Sequence, residues 1–167
     1  MATHPGYPFV PKSTTHLRPS DFWGVPLSDG RFACGRVLAV KWPQEDDNFL
    51  GTRNSRIFFA GLMDWSGEQT PTSDDLVGSQ LLAQGSGHIK LITESGGAVL
   101  GHRPLDADAV TGLMEATHKM GGTVWLFEGV RRLRPATREE SASGPWLSGW
   151  GFRFITSLAE SHFVDRP

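Results

Sequence analysis

Asp21-Phe-Trp-Gly-Val-Pro-Leu-Ser-Asp-Gly-Arg-Phe-Ala-Cys-Gly-Arg-Val-Leu-Ala-Val-Lys-Trp42 carries the sharpest local signal in the chain. Asp29-Gly30 lies between two apolar runs, and an Asp-Gly pair tolerates the positive φ angles that a two-residue type I′ hairpin turn needs. Read in that way, Ser28 faces Arg31, Leu27 faces Phe32, Val25 faces Cys34 and Trp23 faces Arg36. Side chains alternate along a strand, so these pairs share one face, and its apolar members point it into a core. Trp23 opposite Arg36 would be a cation–π stack at the rim of that core. On the other face Gly24 meets Gly35, leaving a bare patch. Glycine inside a strand marks a bend or a close approach. The patch is therefore either a curved corner of the sheet or the seat of a ligand or partner segment.

The run from Phe22 to Leu38 resembles the opening hairpin of the bacterial immunity protein 26 family. Its pattern is an aromatic, a small residue, an aliphatic, Pro-Leu, Asp-Gly, an aromatic, then Gly and a basic residue before Val. Val99-Leu-Gly-His-Arg-Pro-Leu105 is similar to a second stretch of that family, aliphatic-Gly-x-x-Pro-Leu. The resemblance spans about residues 17–105 and fades over 106–167. It implies a mainly β fold and a cytoplasmic protein made beside a polymorphic toxin, often a nuclease, which it neutralises by binding. It supplies no catalytic residue.

The chain has 167 residues, enough for one domain with a real core. Its net charge of −2 disfavours direct binding of nucleic acid, which calls for a basic surface. The single cysteine, Cys34, excludes an internal disulfide and suits a reducing compartment. The first residues show no signal-peptide pattern, and no run is long and apolar enough to span a membrane. A cytoplasmic location is the expectation.

Residues 1–19, with Pro5, Pro8, Pro11 and Pro19, read as an extended arm, with Tyr7, Phe9 and Val10 as the residues that pin it to the body. Residues 20–167 read as one β-rich domain. Pro43 to Asn54 reads as a polar loop holding Glu45-Asp46-Asp47, and Arg56 to Trp65 as a central strand. Asp74 to Gln84 is expected to be a short helix, and His88–Thr93 with Ala98–His102 a second hairpin. Asp106 to Lys119 has the strongest helical pattern, with acids at its start and Gly121-Gly122 at its end. Strands follow at Thr123–Val130 and Gly149–Thr156, joined by a polar connection, and a short helix at Ser157–Phe163 closes the chain. The fold class is α+β, mainly β: a strongly bent antiparallel sheet or half-open barrel with one main helix packed on it.

Chemistry leaves few marks. The histidines at 4, 16, 88, 102, 118 and 162 form no i, i+4 pair, and only His88 and His102 are expected to face each other, without a third ligand. Cys34 is expected to be buried, and no nucleophile elbow or phosphate loop is present. Tryptophans beside Gly, Ser and Pro at strand ends (Trp42, Trp65, Trp146, Trp150) suit either packing over a barrel mouth or the aromatic anchors of an interface. The expected function is therefore non-enzymatic and, as the resemblance implies, binding and neutralising a cognate protein toxin, without cofactor, metal, nucleic acid or membrane. Trp42, Glu45, Asp46, Asp47 and Trp65 are the candidate contacts. A small-molecule or glycan-binding β domain is the first alternative, and an enzyme of unfamiliar chemistry the second. The scattered histidines predict that elemental analysis finds no stoichiometric zinc and that a chelator leaves the melting temperature unchanged.

Overall fold

A computed structural model describes residues 3–40, 56–108, 115–120, 122–143 and 149–165. The architecture is α+β and mainly β. The central sheet contains β1 (Asp21–Pro26), β2 (Phe32–Ala39), β3 (Ile57–Gly67), β4 (Leu81–His88), β5 (Val99–His102) and β9 (Gly149–Trp150), in the order β5-β1-β2-β3-β4-β9. The pairings from β5 to β4 are antiparallel, and β9 joins in parallel, which makes the sheet mixed. Register shifts interrupt β1–β5, β2–β3 and β3–β4, and such bulges bend a sheet. A second, three-stranded sheet holds β6 (Glu115–Met120), β7 (Thr123–Glu128) and β8 (Arg131–Pro135). The helices are α1 (Lys90–Thr93), α2 (Arg138–Ser143) and α3 (Phe154–Phe163). Among the described residues no helix is long and apolar enough to cross a membrane.

The β1–β2 hairpin forms, but one residue away from the expected register. Phe22 faces Arg36, Trp23 faces Gly35, Gly24 faces Cys34 and Pro26 faces Phe32. The loop is Ser28-Asp29-Gly30, closed by Leu27 N–H on Arg31 O (2.8 Å) and Gly30 N–H on Leu27 O (3.1 Å). Only Gly30 takes positive φ, at 89°, so this is a type I turn followed by a left-handed glycine rather than a two-residue I′ turn. Asp29 stays at negative φ and accepts from the Arg31 backbone N–H (3.0 Å) and from its Nε (2.8 Å). The expected Trp23–Arg36 stack is therefore absent. The Trp23 indole lies across Gly35 instead, where a Cβ would come within 2.3 Å of the ring.

Both faces of the sheet are covered. On one, Trp23, Val25, Ala33, Val37, Phe58 and Leu62 pack with Leu91 and Ile92 of α1 and Ile155 and Ala159 of α3. The other carries Phe22, Cys34, Met63 and Leu76, with Trp65 and Leu81 packed against them. Gly24 belongs to this covered region, its position facing Pro71, Thr70 and Phe32 at 3.3–3.6 Å. Gly24 and Gly35 thus no longer oppose each other, and each is filled by the chain's own side chains. The arm is anchored too: Phe9 exchanges backbone hydrogen bonds with Val99 (3.0 and 2.8 Å), and Tyr7 reaches Asp21, while Val10 stays exposed.

Five expected segments differ, one of them the polar connection after residue 130, which holds β8 and α2. Residues 74–84 form one 3-10 turn, Asp74–Leu76, after which Gly78 takes φ 73° and the chain enters β4. Seven register pairs with β3 outweigh the weak helical pattern there. The His88–Thr93 segment turns into α1 rather than a strand, so β5 pairs with β1 and not with β4. The strong helical pattern of 106–119 yields only a 3-10 turn at Leu105–Asp108 and then β6, paired with β7 across Gly122 at φ 89°; residues 109–114 lie outside the described set. Partner strands override propensity in that segment. The last strand stops at Trp150, and the main helix is α3, not 106–119. α3 starts earlier than expected because Ile155, Leu158, Ala159 and Phe163 form one apolar stripe at helical spacing. Its C-terminal end is tied to the hairpin tip by Glu160, which accepts from the Ser28 N–H and hydroxyl, and by Arg31 Nη2 on Phe163 O at 2.9 Å.

Gly30→Val should lower stability by about 1–2 kcal/mol through the left-handed φ, and Gly35→Ala by about 1–3 kcal/mol through the Cβ–indole overlap. Denaturant midpoints at constant m-value check both.

Candidate functional site

The stretches 22–38 and 99–105 meet where β1, β2 and β5 come together. Asp21 pairs with His102 and Phe22 with Gly101. A Cβ on Gly101 would come within 2.7 Å of the Phe22 ring, so only glycine fits without a shift. Ser20 precedes β1 with φ 89°, a strained value for a residue with a side chain. Its surroundings hold it there: its N–H bonds Val37 O (2.8 Å), its carbonyl accepts from Arg103 N–H (3.1 Å), and its hydroxyl oxygen accepts from Leu105 N–H (3.1 Å).

Arg36 crosses this junction fully buried. Its Nε donates to Ser20 O at 3.3 Å and its Nη2 to Arg103 O, so one guanidinium joins β2 to both the entry of β1 and the exit of β5. Burial pushes its pKa down, and among the described residues its Nη1 has no hydrogen-bond partner. Just outside, Arg103 grips Asp108 with Nε and with Nη2 (2.7 Å to Oδ1), and Gly78 N–H adds a third bond at 3.0 Å. The Arg103 hydrogen bonds hold the Asp108 carboxyl down at about 2, against the opposing effect of burial.

Asp21 is also fully buried, and three groups satisfy it: Tyr7 Oη at 2.5 Å, Arg18 N–H at 2.9 Å and His102 Nδ1 at 3.0 Å. Arg18 Nη2 donates in turn to Tyr7 Oη at 2.7 Å. Burial and the Asp21 carboxylate push the Tyr7 phenol up. A carboxylate holding Nδ1–H of a histidine leaves Nε2 as the working nitrogen, as in a hydrolase triad. Among the described residues no hydroxyl or thiol bonds that nitrogen, and none group as three metal ligands. Cys34 sits in the second core cluster, where burial pushes its thiol up to about 12. The arrangement can fasten the arm to the sheet. It offers no activated nucleophile.

Of the sequence-derived contacts, Trp42, Glu45, Asp46 and Asp47 lie outside the described residues. Trp65 is half-buried, its indole laid over Gly67 and against the Phe22–Met63 cluster. Trp150 is 6% exposed and covers Gly85, so it is core rather than anchor. His88 and His102 do not face each other, because β1, β2 and β3 separate β4 from β5. Arg134 pairs with Glu140 at 2.8 Å, and Arg132 lies 4.3 Å from the Trp125 ring centroid. The Tyr7–Arg18–Asp21–His102 cluster gave no sequence signal, because its members are joined only by non-local contacts. Phe152 and Phe154, expected in a strand, are the exposed aromatics among the described residues, at 42% and 45%. Comparison with protein-family profiles, curated proteins and solved structures finds no match.

The depressed Asp108 carboxyl contributes stability that is present above about pH 4, the ordinary carboxylate value, and lost as pH falls toward its folded value. Asp108→Asn should lower the melting temperature at neutral pH and reduce the loss on acidification. Glu140, held at about 2 by Arg134, keeps part of the acid dependence in that variant. Melting curves of both proteins across the acid range check this.

Proposed function

We propose that this chain is an immunity-type protein that binds a cognate bacterial toxin and neutralises it by occlusion, with no catalysis of its own. The observation that carries the reading is spatial. The two stretches that resemble immunity protein 26 are far apart in sequence, yet they pair as β1 and β5 and are joined by the buried Arg36. A resemblance made of two unrelated fragments would have no reason to assemble around one internal bond network. The satisfied state of Asp21 and the inert surroundings of Cys34 support binding rather than chemistry.

A nuclease toxin presents a basic cleft, and carboxylates can occupy it in place of phosphates. Glu45, Asp46 and Asp47 follow the key hairpin and are the proposed acids, with Trp42 or Trp65 as the anchor. Long-range attraction then speeds encounter, and salt slows it.

The product of the adjacent gene, co-expressed and purified with this chain, provides the test. Asp46→Lys should slow association, and Trp65→Ala should speed dissociation at a cost of about 2 kcal/mol. Melting curves of the free Trp65→Ala protein separate lost packing from lost binding. If the wild type binds and neither variant moves the kinetics, the interface lies elsewhere. If the wild type does not bind, the immunity reading fails.

A further inference from the structure

A shallow cleft of about 430 Å3 lies between the start of β3, the end of β4 and the Gly149–Phe152 segment, with Ile57, Gly87, His88, Trp150, Gly151 and Phe152 in its walls. It is far from the Asp21–His102 junction in the sheet order and belongs to none of the bond networks described above. Its size falls within the range of small-ligand sites, roughly 300–1,000 Å3.

The walls are mostly apolar and two of them are aromatic. The Phe152 ring is 42% exposed, an uncommon state for phenylalanine, and meets the His88 ring at a 5.3 Å centroid distance and a 57° tilt. An aromatic guest adds a further offset or edge contact to such a pair. The polar groups of His88, in the wall, and of Lys90, beside Phe152, have a defined sense. Lys90 N–H donates to His88 Nδ1 at 3.1 Å, which makes Nδ1 an acceptor and places the ring proton of the neutral imidazole on Nε2. Among the described residues Nε2 has no hydrogen-bond partner. The Lys90 ammonium sits 4.9 Å from the Phe152 ring centroid, with no carboxylate pairing it among the described residues. Burial above all, with Lys90 and Arg56 adding to it, pushes the His88 pKa down against a smaller opposing effect of Glu94.

We propose that this cleft is a binding site for a small aromatic carboxylate, whose ring packs against Phe152 and whose anion meets the Lys90 ammonium and the Nε2–H of His88. A neutral aromatic would satisfy the walls and leave the two donors unused. An aromatic amine would meet like charge. Neither the toxin partner nor the acidic loop enters this inference, which goes beyond the protein-binding role and stands or falls separately from it.

Titration of the full chain with phenylacetate, 2-phenylethanol and phenethylammonium, followed by amide nitrogen–proton correlation spectra, tests the site. Phenylacetate should give saturable shifts at Gly87, His88, Lys90, Gly151 and Phe152 with millimolar affinity. It should bind several-fold tighter than the alcohol, with the amine weakest. Lys90→Glu, a change at an exposed position, should invert the order of the two ions. A Cβ at Gly151 meets nothing within 4 Å, so Gly151→Leu can fill the cleft without backbone strain and should abolish the shifts. Spectra of the free variants that superimpose on the wild type away from the cleft establish that both fold. Three outcomes would each overturn the proposal: no saturable shift at tens of millimolar, equal affinity for all three probes, or an order unchanged by Lys90→Glu.

Discussion

Trp23 lying across Gly35 is the contact on which the rest of the fold depends. The largest side chain of β1 opposes the smallest residue of β2, and a Cβ there would overlap the indole. That pairing fixes the register, because a one-residue slip would set the ring opposite Cys34 or Arg36 and a two-residue slip opposite Ala33 or Val37. It also sends Arg36 to the opposite face, under the entry to β1, where two backbone carbonyls receive it. A buried guanidinium without a bonded carboxylate is costly to desolvate, and the bonds of Nε and Nη2 to backbone carbonyls offset part of that cost, while Nη1 has no partner among the described residues. Its bonds reach Ser20 and Arg103, the residues flanking β1 and β5, so the same contact that sets the hairpin also seats the distant edge strand. Asp21 and His102 then face each other, and Tyr7 and Arg18 of the arm close over them.

The tip of the hairpin serves a second purpose. A type I turn with Gly30 in the left-handed region leaves the Ser28 N–H and hydroxyl directed at Glu160 of α3, while Arg31 reaches the carbonyl of Phe163. The C-terminal helix is thus held to the earliest hairpin at its polar end and by Ile155 and Ala159 at its apolar face. The late part of the chain is thus fastened to its first hairpin. One body carries both the hairpin and the exposed aromatic segment around Phe152.

The sequence made the hairpin, the turn glycine and the apolar stripe of α3 legible, since each depends on neighbours a few residues away. The register was not legible from alternation, because both faces of the sheet are buried and the two faces of β1 look equally apolar. Volume would have served better: Trp23 with Gly35 is a better-filled pair than Trp23 with Arg36 beside Gly24 with Gly35. Residues 115–120 carry a helical pattern that pairing with β7 overrides, and no local feature encodes the partner strand. The Tyr7–Asp21–His102 cluster joins residues 14 and 81 positions apart, so it could be found only in three dimensions. Of the proposed contacts, Trp65 is placed, half-buried over Gly67, whereas the acidic run and Trp42 rest on the sequence alone.

The central claim is stoichiometric neutralisation without turnover. Titrating the activity of a purified candidate toxin, the product of the adjacent gene, with increasing amounts of the protein tests it most directly. Occlusion predicts a linear fall that ends at one equivalent, is complete without further incubation, and is unchanged by His102→Ala and Cys34→Ser in protein that remains folded. Loss of toxin activity that grows with time at a small fraction of an equivalent would mean catalysis and contradict the account, as would full toxin activity in excess protein.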